Sequence, residues 1–334
     1  MPHTRLPRVA GIAALALLAF PLAEARAATD VTVGTGFMPN VQFAPYYVAQ
    51  DLGYYKAAGL NVKMNYDRVP NLLQMVAGGK FTFGASSGDT AIIAKSAGAD
   101  VRYVAAQYQQ YPVGAMWLKN GGPRITKPAD LKGKRIGISA PGSSTDYGLR
   151  ALLKSAGLTR KDVKIVAVGF TETEALVNKQ IDVAMTFTDN EPVQAAAIGH
   201  PVNVMKVASY VNLTPNGVVT GAEEIRAHRS VVAAFVKATM RGEKYTQQHP
   251  DAAFKIALKR LPELVSQKAI DTQRKVLSAR LAYQREPKGH PYGWSNPSGW
   301  PTTVNFLRGI SAIKAKPSVS SVFTNVFAEQ ANVR

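Results

Sequence analysis

The chain has no cysteine among its 334 residues, which excludes disulfides, thiolate metal sites and a thiol that a lipid could modify. Histidine is scarce: His200, His228, His249 and His290 lie far apart in the sequence, so no clustered metal site is expected. No glycine-rich nucleotide loop, internal repeat or low-complexity tract is present. The apolar run Val9 to Phe20 stops at Pro21, well short of the roughly 20 residues that span a membrane. It follows Arg5 and Arg8 and precedes Ala25-Arg26-Ala27, the charged, apolar and small-residue order of a secretory leader. The expectation is a leader over residues 1–27, cleaved near Ala27, and a soluble, exported, periplasmic mature chain.

Acid is in short supply as well. Twenty-two Asp and Glu face 40 Lys and Arg, for a net charge of +18. Three arginines and one glutamate fall in the leader, which leaves +16 on the mature chain. The basic residues are scattered, and exported proteins rarely meet nucleic acid, so the surplus reads as solvated surface and no nucleic-acid partner is expected.

What is present is an alternation of strand and helix. Val31 to Val33 reads as a strand, and Phe43 to Leu52 as a helix with Pro45 in its first turn and Gly53 beyond its end. Asn61 to Tyr66 is a strand, Pro70 to Ala77 a helix, and Phe81 to Ala85 a buried strand. The rhythm resumes with a strand ending at Ile138, the helix Asp146 to Ala156, strand Lys164 to Val168, helix Glu172 to Asn178 and strand Val183 to Phe187. From Ala222 the pattern is helical, with apolar periodicity over Val231 to Tyr245 and Ala252 to Leu261. About 300 residues exceed what one hydrophobic core holds, so two α/β lobes are expected. The extended stretches Met116 to Lys119 and Val218 to Thr220 read as the two strands of a hinge. That places residues 28–118 and 220–334 in a discontinuous first lobe and 119–219 in the second.

Several segments recur in a recognisable order: Gly36-Phe37-Met38-Pro39-Asn40-Val41-Gln42-Phe43-Ala44-Pro45-Tyr46-Tyr47, Asp51-Leu52-Gly53-Tyr54-Tyr55, Ser86-Ser87-Gly88-Asp89, Leu131-Lys132-Gly133-Lys134, Pro141-Gly142-Ser143-Ser144, Gly169-Phe170-Thr171 and Asn190-Glu191-Pro192. Together they resemble the solute-binding proteins of ABC importers in the nitrate, sulfonate and thiamine-pyrimidine family, across nearly the whole mature chain. Asn40, Gln42 and Asn190-Glu191-Pro192 are most similar to members that bind thiamine pyrimidine precursors or riboflavin. The resemblance implies a type II Venus-flytrap fold, α/β lobes on a two-strand hinge, and a small-molecule ligand in the cleft. It also implies a permease and ATPase as partners, a monomeric protein, no cofactor and no enzymatic activity. The first expectation for the ligand is a hydroxymethyl- or aminomethyl-pyrimidine. Riboflavin and a sulfonate such as taurine are alternatives, and a pyrimidine-synthesis enzyme on the same fold is the alternative of another class.

Ligands of open α/β sheets lie beyond the carboxyl ends of the strands, and the candidate residues follow from that. Asp89 and Glu191 each follow a strand of a different lobe, so two carboxylates can accept N–H bonds across one cleft and repel a sulfonate. Asp89 is equally placed to cap the helix that begins there. Ser143, Ser144 and Tyr147 lie between a strand and a helix, where hydroxyls and backbone N–H groups bind an acceptor or simply cap. Phe43, Tyr108, Phe187 and Trp294 offer ring faces; Trp294 sits in the turn-rich loop Gly289 to Trp300, which can instead latch onto the second lobe. Asn40, Gln42, Asn190 and Ser87 are polar groups at strand ends, available to ligand or loop. Gly84-Ala85-Ser86-Ser87-Gly88 matches the nucleophile elbow of a hydrolase, but no histidine stands in a context that completes it.

Overall fold

The computed structural model describes residues 27–67 and 71–334. The expected leader lies almost wholly outside these residues, as does Pro70, and the helix placed there begins at Leu72.

Among the described residues ten strands form two five-stranded sheets: β1 (Thr29–Gly34), β2 (Leu60–Asn65), β3 (Phe83–Ser87), β4 (Val101–Ala106), β5 (Val113–Leu118), β6 (Arg135–Ile138), β7 (Lys164–Ala167), β8 (Val183–Phe187), β9 (Val202–Lys206) and β10 (Asn216–Gly221). The first sheet runs β2-β1-β3-β10-β4 and the second β7-β6-β8-β5-β9. The strands joined through helices, β1 with β2 and β3, and β6 with β7 and β8, pair in parallel. β10 and β5 each enter a sheet from the opposite lobe and pair antiparallel with both neighbours. This is the expected two-lobed α/β architecture.

The sheets correct the boundaries at 118 and 220. Met116 lies opposite Ala184 on one side and Val204 on the other, so Met116 to Leu118 belong to an interior strand of the second lobe, with Lys119 just beyond its end, and form no hinge. Val218 lies between Ala85 and Ala105, which puts β10 inside the first lobe. The chain crosses between lobes at residues 107–112 and 207–215, where a loop and a short 3₁₀ turn (Val207–Ser209) replace the expected strands. The apolar run Val113 to Leu118 is buried from both faces, as an interior strand requires. Residues 101–106 and 202–206 also form strands that the sequence reading passed over.

The first lobe is packed around Phe235, which lies in the helix Arg229–Gln248 and stacks on Phe83 at 3.8 Å and on Tyr55 at 5.4 Å. That helix approaches the helix Ala44–Asp51 so closely that a Cβ on Gly242 would stand 2.1 Å from the Pro45 carbonyl oxygen. Trp300, fully buried in the helix Gly299–Gly309, stacks on Phe323 and meets Tyr103 edge-on. The C-terminal helices touch both lobes: Gln267–Leu281 packs against the helix Glu191–Ala197 of the second lobe. The Lys154 ammonium, also in the second lobe, lies 3.4 Å from the Gly309 carbonyl.

Candidate functional site

The carboxyl ends of β1, β3, β6 and β8 converge with the crossover 107–112. After β1, Asn40 Oδ1 accepts from the Gln42 backbone N–H at 2.9 Å and opens a 3₁₀ turn. That turn holds Gln42 at the cleft, where its Nε2 donates to Asp189 Oδ2 of the second lobe at 2.9 Å. Phe43 stands half-buried between the rings of Tyr46 and Tyr66.

After β3, Asp89 occupies the first turn of the helix Gly88–Ser96 and is fully buried. Its Oδ1 accepts from Ser87 Oγ and from the Thr90 N–H, and its Oδ2 from Tyr111 OH at 2.7 Å. Burial raises its pKa, and these donors oppose the rise. Ser87 Oγ lies 2.9 Å from Ser144 Oγ, and Tyr111 OH is 3.0 Å from the Ser144 carbonyl, so one cluster ties β3 to the loop after β6. Asp89 thus holds the first turn of its own helix and reaches the second lobe only through Ser87 and Tyr111.

The loop after β6 is largely satisfied from within. Ser143 caps the helix Ser144–Ser155 and hydrogen-bonds Ser139 and Thr145. Asp146, fully buried, accepts from Arg150, Arg160 and the Gly142 N–H. Ser144 alone of these hydroxyls reaches across the cleft; Tyr147 is buried beneath the Arg150 guanidinium.

After β8 the structure shifts the cross-cleft carboxylate by two residues. Glu191 folds back on its own strand end, where Oε2 accepts from the Phe187 N–H and Oε1 from Asn190 Nδ2, both at 2.9 Å. Burial, with Glu172 adding repulsion, pushes its pKa up to about 8. Asn190 in turn accepts from Gln194. The group that meets the first lobe is Asp189, fully buried, whose Oδ2 accepts from both Gln42 Nε2 and Tyr108 OH at 2.9 Å. Phe187 is half-buried against the core, and Thr188 Oγ1 hydrogen-bonds the Tyr283 hydroxyl.

Behind Asp189 lies a buried polar cluster that the sequence reading missed. Arg280, on the helix Gln267–Leu281, donates from Nη1 to Tyr108 OH with its guanidinium 4.6 Å above that ring. Its charge lies near Asp189 and Glu243. Burial pushes Glu243 up to about 8 against the pull of Arg280. Tyr46 OH donates to Gln107 Oε1 at 2.9 Å. Trp294 is stacked by His290 at 3.7 Å, and its carbonyl accepts from Gln109, so its loop lies along the crossover. Farther out, Phe37 of the first lobe and Phe170 of the second meet edge to face at 5.2 Å.

The arrangement suits reversible capture: polar side chains from both lobes face one another, with tyrosines between them. Among the described residues no group of His, Asp and Glu could hold a metal ion. A surface cavity of about 770 Å³ lies elsewhere, along β5 and β9 of the second lobe, lined by Trp117, Arg124 and Tyr210.

A family model described as NMT1/THI5 like matches residues 40–253. The chain belongs to that family. It is 34% identical over 303 residues to the riboflavin-binding protein RibY of Chloroflexus aurantiacus, covering 89% of this chain and 86% of that one. It is 25% identical to the formylaminopyrimidine-binding protein of Halalkalibacterium halodurans, covering 88% and 91%. Both relatives carry binding-protein names. Among solved structures, the periplasmic aliphatic sulphonate binding protein SsuA of Escherichia coli aligns with a TM-score of 0.68 at 15% identity, over 87% of this chain and 91% of that one. That likeness is one of fold.

Proposed function

We propose that this chain is the extracytoplasmic solute-binding component of an ABC importer and that its ligand is a riboflavin-like heteroaromatic. The observation that carries the reading is Asp189: a carboxylate of the second lobe, buried against Gln42 and Tyr108 of the first lobe and the crossover. A contact of this kind exists only where the lobes meet, and it surrounds the space between them with acceptors and ring faces. Such a lining suits a neutral ring with N–H groups. It opposes a sulfonate, which Asp189 and Asp89 would repel. The resemblance to RibY along nearly the full chain supports a flavin over the thiamine pyrimidine precursor expected first. The latter is supported by the weaker likeness to the formylaminopyrimidine binder. A permease and an ATPase at the membrane are the partners this role requires, and export to the periplasm is the location.

The test is a titration of the purified mature protein with riboflavin, followed by quenching of flavin fluorescence. Aminopyrimidine precursors, thiamine, taurine and nitrate are run in parallel by thermal shift. The expected result is saturable quenching and a raised midpoint with riboflavin, because ligand bound to the native state stabilises it by mass action. Stabilisation by taurine or nitrate alone would overturn the ligand assignment.

A further inference from the structure

Six buried side-chain atoms in the cluster behind Asp189 have no hydrogen-bond partner among the described residues: Gln107 Nε2, Asp189 Oδ1, Glu243 Oε2, Arg280 Nε, and both Nε2 and Oε1 of Gln284. The five residues are between 0 and 5% exposed. They come from four separate segments: the first crossover, the turn after β8, the helix Arg229–Gln248, and the end of the helix Gln267–Leu281 with the turn that follows.

They form one neighbourhood. Arg280 reaches Tyr108, which donates to Asp189. Arg280 is close enough to Asp189 and Glu243 to act on both, and Gln284 stands beside Glu243. Tyr46, which holds Gln107, also lies near Glu243 and Arg280. Buried polar groups are almost always paired, so unpaired atoms gathered from four segments mark a place where something else completes them.

Three of the six atoms are donors, Asp189 Oδ1 and Gln284 Oε1 are acceptors, and the Glu243 carboxyl, protonated below about pH 8, serves as either. A sulfonate or phosphate would answer the donors only, and an ammonium the acceptors only. A ring edge in which an N–H stands between two carbonyl oxygens answers both. We propose that this cluster is the floor of the cleft and a subsite for the imide edge of the ligand. Its N–H donates to Asp189 Oδ1, and its flanking carbonyls accept from Arg280 Nε and Gln107 Nε2. The inference rests on the reading of the cleft as a heteroaromatic site and adds which edge of the ring enters first.

The geometry at Asp189 makes a sharp variant. Gln42 Nε2 and Tyr108 OH both donate to Oδ2. In Asp189→Asn the amide oxygen must take that position, so the amide nitrogen turns to the subsite and presents a donor where the carboxylate presents an acceptor.

The experiment titrates the full mature protein with riboflavin, with lumichrome, which keeps the imide edge and lacks the ribityl chain, and with N3-methylriboflavin, whose imide N–H is replaced by methyl. Wild type should bind riboflavin and lumichrome, and N3-methylriboflavin at least tenfold more weakly, the loss of a hydrogen bond to a charged acceptor. Asp189→Asn should lose that preference. Gln107→Glu keeps the acceptor for Tyr46 and converts the Nε2 donor into an acceptor. It should weaken riboflavin about tenfold, and it serves if Asp189→Asn does not fold. The ratio between the two flavins is a readout that a merely structural role would leave unchanged. Equal binding of riboflavin and N3-methylriboflavin by wild type overturns the subsite and leaves the flavin cleft standing. Failure to bind any flavin overturns the cleft reading and the subsite with it.

Discussion

Glu243 gives the most direct physical test of the buried cluster. It lies on the helix Arg229–Gln248 at 2% exposure, and burial pushes its pKa up to about 8 from an ordinary 4.5. Between those pH values the folded protein holds a proton that the unfolded chain has released. Stability contributed by this group is therefore complete below about pH 4.5, falls as pH rises, and levels off above about 8. Each pH unit inside the window is worth about 1.4 kcal/mol, so holding the proton up to pH 7 costs roughly 3 kcal/mol. Glu243→Gln removes the titration and keeps the shape. A fixed offset from how the amide finds partners is the same at every pH and cancels. The stability difference between Glu243→Gln and wild type should move in favour of the variant by about 3 kcal/mol between pH 4.5 and 7. At roughly 2 °C per kcal/mol for a protein of this size, that is about 6 °C in midpoint. Asp89, Asp189, Glu172 and Glu191, whose pKa values burial also raises, titrate in both proteins and drop out of the difference. Urea unfolding at half-unit pH steps measures it. Two parallel curves would refute the reasoning, because they would mean that Arg280 keeps the carboxylate ionised throughout.

The mouth and the core carry two further predictions. Phe37 and Phe170 meet across the lobes at 5.2 Å, and an aromatic pair of this kind contributes about 0.5–1.5 kcal/mol. Phe37→Ala, Phe170→Ala and the double variant should give a coupling of that size in ligand dissociation, a two- to tenfold faster off-rate by stopped flow, while a coupling of zero would remove the contact from the bound state. Gly242→Ala gains up to about 1 kcal/mol of helix propensity but drives a methyl to 2.1 Å from the Pro45 carbonyl, and overpacking costs about 1–3 kcal/mol or more. The expected net result is a loss of about 2 kcal/mol in urea unfolding, and an unchanged midpoint would show that the two helices separate freely.

The parts of this protein that were legible in the sequence are those governed by local rules. Strand ends announce themselves by the turn residues after them, and it is there that Gln42, Ser87 and Ser144 make contacts between the lobes. Glu191 and Asp189 follow the same strand, so position along the sequence alone does not tell which of them faces the other lobe. Only the tertiary structure shows that Glu191 closes onto the Phe187 N–H while Asp189 faces the other lobe. The hinge was misplaced because an apolar extended run has the same appearance in an interior strand and in a crossing segment. Arg280 and Glu243 carry no motif, yet each left a trace. Glu243 falls on the buried stripe Val232, Val236, Thr239, Thr246 of its helix, and Arg280 follows Val276 and Leu277 on the helix Gln267–Leu281. A charge on an apolar stripe needs a partner or a function, and that signal was available.

The same cluster links capture to closure. Each buried polar atom left unpaired costs about 1–3 kcal/mol, so bringing Asp189 of the second lobe down onto this cluster is opposed by that much for each atom the contact seals off unless something supplies its partner. A ligand that pairs only part of the set lowers that opposition in proportion. It therefore favours the closed form by its difference in affinity for the two forms and by nothing else. The aromatic pair at the mouth and the serine contact between Ser87 and Ser144 then form as consequences of closure. Small-angle scattering should accordingly show a radius of gyration that falls on adding riboflavin. The fall should be smaller with N3-methylriboflavin at equal occupancy, because that ligand leaves Asp189 Oδ1 unanswered. Equal contraction with both ligands would break the link, since the lobes would then close without regard to whether the floor is paired.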